Sequence, residues 1–67
     1  MRKQFLDAKD VSIILGRSLN TAHRRIRKMN AELEAEGYYT ETGKVPVQMF
    51  EEKYKGIKIP EELLEVY

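Results

Sequence analysis

The sequence predicts one small α+β domain, mainly α, on three observations. A chain of 67 residues has room for a single thin core and little more. Two stretches place apolar residues at helical spacing, each opened by a capping residue and closed by glycine. A third stretch, Tyr38 to Val45, trades that period for β-forming residues around a turn.

The first helix is predicted over residues 7–15. Asp7 is a natural N-cap, since its carboxylate can accept from the free N–H groups of the first turn. Asp10 adds negative charge near the positive end of the helix dipole. Ala8, Val11, Ile14 and Leu15 fall on one stripe. The β-branched run through Ile13 and Ile14 would also suit a strand, but cap and length favour helix. Gly16 ends it. After Arg17, Ser18 is a second N-cap, and the next helix runs to about Glu36, with Gly37 as its stop. Ala22, Ile26, Met29 and Leu33 lie within about 60° of one another on the helical wheel. Two helices joined by so short a glycine turn make a helix-turn-helix.

Beyond Gly37, Tyr38-Tyr39-Thr40 reads as a strand, Glu41-Thr42-Gly43 as a turn and Lys44-Val45 as the return strand. Together they predict a two-stranded hairpin wing. Pro46 then opens a short helix over residues 47–54 with Val47, Phe50 and Tyr54 on its apolar stripe. The expected domain is therefore a small winged helix-turn-helix over residues 1–56. Residues 57–67 form a tail with a Pro60-led helical turn. Leu63, Leu64 and Tyr67 of that tail are candidates either for packing back on the domain or for contacting a partner.

The net charge of +1 conceals an asymmetry. Residues 1–30 carry eight Lys/Arg against Asp7 and Asp10, whereas residues 31–67 carry four Lys against nine Glu. The segment Arg17 to Lys28 holds five basic residues and no acid. With the apolar stripe facing inward, the outer face presents Asn20, Arg24, Arg27 and Lys28, with Thr21 and Arg25 on one flank and His23 on the other. Arg pairs with guanine O6 and N7, and Asn with adenine N6 and N7. Lys, Thr and Ser, here with Arg17 and Ser18 at the helix start, hold phosphates. A solvated face normally interleaves the two signs. Here Glu32, Glu34 and Glu36 come only in the second half, which fits a helix whose first half enters a DNA groove. Lys44 on the wing, with Tyr39 or Thr42 as hydrogen-bond donors, is a further candidate contact, although Glu41 argues against deep minor-groove insertion.

Other classes fit less well. The chain has no cysteine and one histidine, His23, so no metal cluster, metal cofactor or thiol chemistry is expected. Ser12 and Ser18 lack partners at triad spacing, and no glycine-rich phosphate loop is present. The expectation is a DNA-binding protein without cofactor or small-molecule ligand, and not an enzyme. Met1-Arg2-Lys3 is not followed by the apolar stretch of a signal peptide. Uncharged runs such as Val11 to Gly16 are far too short to span a bilayer. The expected location is the cytoplasm.

The order of elements resembles the excisionase and MerR-like winged-helix family. The resemblance is carried by Asp7 to Gly16, Ser18 to Ile26, Gly37 to Pro46 and Phe50, and spans residues 6–55. It implies a small bacterial, phage or mobile-element protein that binds and bends double-stranded DNA. Stand-alone members are often recombination directionality factors that act beside an attachment site with an integrase, and others are small transcription regulators. By this resemblance Asn20, Thr21, Arg24 and Arg25 would form the major-groove set, with Lys44 on the wing. Two departures stand out: the recognition helix is long, with an acidic second half, and no dimerisation helix or effector domain follows. A reading of another class remains, a protein-interaction module such as an antirepressor or adaptor acting through the acidic C-terminal part. The two combine if the tail touches an integrase or a neighbouring copy on DNA.

Overall fold

The computed structural model describes residues 3–65. Its elements run β1 (Phe5–Asp7), α1 (Ala8–Leu15), α2 (Leu19–Ala35), β2 (Lys44–Pro46), α3 (Val47–Lys53) and α4 (Glu61–Leu64). The fold is α+β and mainly α: a helix-turn-helix with a turn and strand beside its second helix, as in a small winged helix-turn-helix.

The boundaries of α1 and α2 have local causes. Asp7 and Asp10 form a capping box, in which each carboxylate accepts from the other's backbone N–H at 2.9 and 3.2 Å. Asp10 also holds Lys3 at 2.9 Å, which ties the start of the chain to α1. Gly16, at φ 65°, turns the chain so that Arg17 N–H donates back to Ser12 O. Ser18 then accepts from Thr21 N–H. At the far end of α2, Gly37 at φ 94° lets Tyr38 N–H donate to Leu33 O and Gly37 N–H to Glu34 O. This pair of bonds is a Schellman ending.

That ending corrects the strand assignment after α2. Tyr38, Tyr39 and Thr40 form no strand. What remains of the expected hairpin is its tip, a turn in which Lys44 N–H donates to Glu41 O and the two residues form an isolated antiparallel bridge. The strand β2 pairs instead with β1, antiparallel, with Phe5 opposite Pro46, Leu6 opposite Val45 and Asp7 opposite Lys44. Leu6 and Val45, both fully buried, explain the choice: pairing with β1 delivers two core side chains across one rung. Tyr39, by contrast, is fully exposed.

The core gathers Leu6, Ala8, Val11, the α2 stripe Ala22, Ile26, Met29 and Leu33, then Val45, Phe50, Ile59 and Leu64. Ile14, Leu15, Val47 and Tyr54 pack at its margin, with the Tyr54 ring stacked on Phe50 at 4.9 Å. The tail contributes directly: Ile59 and Leu64 are buried, and Leu64 O accepts from Lys3 N–H. Residues on both sides of position 56 thus share one hydrophobic cluster.

The capping box has a pH consequence. The Asp10 N–H bond to its carboxylate is the main cause holding Asp7 below the ordinary value of 3.8, with Lys3 assisting and burial opposing. A depressed folded-state pKa stabilises the fold above the unfolded value and loses that contribution as pH falls through the folded one. Asp7→Ala is therefore expected to cost about 1 kcal/mol at neutral pH. In urea unfolding, the gap from wild type should close as the pH is taken well below 3.8.

Candidate nucleic-acid interface

The α2 stripe fixes how the helix is rotated, and the rotation decides what faces out. Ala22, Ile26, Met29 and Leu33 are buried, so Asn20, Arg24, Arg25, Arg27 and Lys28 are exposed, as are Arg17 and Ser18 before the helix. Thr21 is half-buried. At the helix start, the Thr21 hydroxyl accepts from Ser18 Oγ at 3.0 Å and from Arg24 Nη2 at 3.4 Å. Thr21, Arg24, Arg25 and Lys28 line one shallow depression. Among the described residues, none of Arg17, Arg24, Arg25, Arg27 and Lys28 is held in an ion pair. Their charge is available to an anionic partner.

The acids of α2 have separate employment. Glu32 and Glu36 both hold Lys53 of α3, at 3.2 and 3.4 Å. The Lys53 ammonium is raised above its ordinary value chiefly by the bond to Glu32. Glu34 accepts from the Thr40 hydroxyl at 2.8 Å. The C-terminal half of the helix is thus acidic because it fastens α3 and the following loop, which leaves the N-terminal half uniformly basic.

The two flanks of α2 meet different neighbours. Arg25, Lys28 and Glu32 face the end of α3 at Lys53 and Tyr54. His23, Arg27, Asn30 and Glu34 face the turn before β2, across a groove also lined by Thr40, Thr42 and Gly43. Lys44 is exposed on β2, outside that groove. Asn30 is a residue whose role no local sequence pattern marks. It is only 7% exposed, and its Nδ2 donates to Glu41 O at 3.0 Å and to Lys44 O at 2.9 Å, which pins the turn to the helix. An Asn one turn beyond Ile26 on the margin of an apolar stripe was the one available signal.

Of the tail residues considered for partner contact, Leu64 is spent on the core, Leu63 is half-buried, and Tyr67 lies outside the described residues. Among the described residues no helix is long and apolar enough to cross a membrane. Among the described residues no group of three or more His, Cys, Asp or Glu is placed to hold a metal ion.

This geometry can be set beside known proteins. The chain is 41% identical over 54 residues to the ICEBs1 excisionase of Bacillus subtilis (strain 168), a match spanning 81% of this chain and 84% of that protein. The chain belongs to the excisionase family. No family model and no solved structure matches it. Membership in the excisionases agrees with the order of elements: capped first helix, glycine turn, basic second helix, wing turn and Pro-led third helix.

The cap at the start of α2 gives a direct check on how the basic face is held. Ser18→Ala should lower the unfolding free energy by about 1 kcal/mol, whereas Ser18→Asp, an equally good cap, should keep it near wild type. Urea denaturation of the two variants distinguishes them.

Proposed function

We propose that this excisionase-family chain is a recombination directionality factor that binds and bends double-stranded DNA beside an attachment site and assists an integrase there. It acts as an accessory factor and not as the catalyst of strand exchange. The observation that carries the reading is the exposed, acid-free face of α2 from Arg17 to Lys28, none of whose cations is neutralised by another described residue.

In this reading α2 lies in the major groove with its first turns deepest. Arg24, Arg27 and Lys28 supply most of the affinity through phosphates, with Arg17, Ser18 and Thr21 at the helix start and Arg25 on the flank adding to it. Asn20 and Arg24 read base edges. Lys44 approaches the neighbouring backbone from β2. Since a single small module binds weakly alone, multiple sites or a protein partner complete the assembly.

The test is a salt titration of binding to duplex DNA. Wild-type affinity should fall steeply with salt, with a log–log slope that drops by about 1 for each phosphate contact removed. Arg24→Ala should cost about 1–3 kcal/mol and relax sequence preference. The double variant Arg24→Ala/Arg27→Ala should bind weakly at any salt. Absence of wild-type binding at low salt contradicts the reading, and binding without bending favours a small transcription regulator.

A further inference from the structure

Leu19 continues the apolar stripe of α2 in phase, three residues before Ala22. Ala22 is fully buried, yet Leu19 is 51% exposed. The helix therefore carries its first turn past the body of the domain, where half of the leucine meets solvent. Among the described residues, Leu19 is the one large apolar side chain exposed between Arg17 and Lys28. A lone exposed leucine is ordinary on a protein surface. Its significance here comes from its neighbours.

The two hydroxyls of this turn are spent on each other. Ser18 Oγ accepts from Thr21 N–H at 3.2 Å and donates to the Thr21 hydroxyl at 3.0 Å. Arg24 Nη2 also reaches that hydroxyl, at 3.4 Å. The Asn20 side chain makes no hydrogen bond to another described residue. The leading tip of the helix thus offers an outside partner one unpaired amide and, next to it, one aliphatic side chain.

We propose that Leu19 is a specificity-determining residue that packs on the 5-methyl group of a thymine, beside the adenine taken by Asn20. The proposal rests on the DNA reading above and adds to it a residue outside the polar face and a base that the polar residues do not select. In the major groove thymine presents a methyl group and adenine an N6/N7 pair, whereas guanine and cytosine present no methyl. An amide and an aliphatic chain side by side therefore match A·T pairs and leave G·C pairs with an unfilled apolar contact. His23 and Arg27 follow Leu19 along the helix at spacings of four and eight. They lie one and two turns behind the tip, so Leu19 is the member of that row that goes deepest.

The experiment first enriches duplexes from a random-sequence library with the wild-type chain. The enriched site is then remade with deoxyuridine in place of thymidine, one position at a time, which removes only the methyl group. At one position the wild type should bind about three- to fivefold more weakly, the worth of one buried methyl. Leu19→Ala should lose a similar factor on the thymidine duplex and be indifferent, within about 1.5-fold, to deoxyuridine at that position. Alanine is the best helix former and the position is exposed, so the variant keeps the fold, as circular dichroism checks. A wild type indifferent to deoxyuridine at every position overturns the proposal and leaves the DNA reading intact. So does a deoxyuridine effect that is equal in wild type and Leu19→Ala. Failure of the wild type to bind any duplex at low salt overturns both.

Discussion

Ala22, Ile26, Met29 and Leu33 form one buried stripe along α2, and that stripe admits a single rotation of the helix. A shift by one residue would turn the helix about 100° and carry arginines toward the core. With the rotation fixed, three other surfaces follow. The outward face carries Asn20, Arg24 and Arg27. One flank meets the end of α3 through Glu32 and Lys53, and the other meets the turn before β2 through Asn30. The buried apolar side chains of the described residues form one cluster, and one helix supplies the packing surface, the anchor for the wing and the basic face together.

The charge pattern is a consequence of this economy. Acids in the second half of α2 are bonded to Lys53 and Thr40. Exposed pairs of this kind contribute little stability, but they orient α3 and the loop, and they keep the acids away from the helix start. The tail follows the same logic. Ile59 and Leu64 close the core from the far side, so residues beyond Gly56 serve the packing of the domain, leaving the acids of α4 on its outer surface.

The parts that were legible in the sequence are those whose causes act within four or five residues. Asp7, Gly16, Ser18 and Gly37 mark boundaries through bonds to their own neighbours, and the helical wheel of α2 gives its exposed face directly. The partner of β2 was not legible. Phe5–Asp7 is three residues long, overlaps a helix cap, and pairs with a segment almost 40 positions away. The β propensity of Tyr38 and Tyr39 pointed elsewhere, but the Tyr38 N–H is consumed in closing α2. Asn30 was not legible for a related reason. On a helix it reads as one polar residue beside an apolar stripe, and its purpose appears only once the fold brings two carbonyls of the turn within reach. Likewise the groove facing His23 and Thr42 exists only between elements, so no spacing along the chain announces it.

The most direct measurement is an amide chemical-shift map of the full chain titrated with duplex DNA. The account predicts perturbations concentrated in residues 17–28 and 40–44, with α3 and α4 nearly unchanged. Shifts centred on α3 and the tail, or none at low salt, would contradict it and move the functional surface away from the basic face of α2.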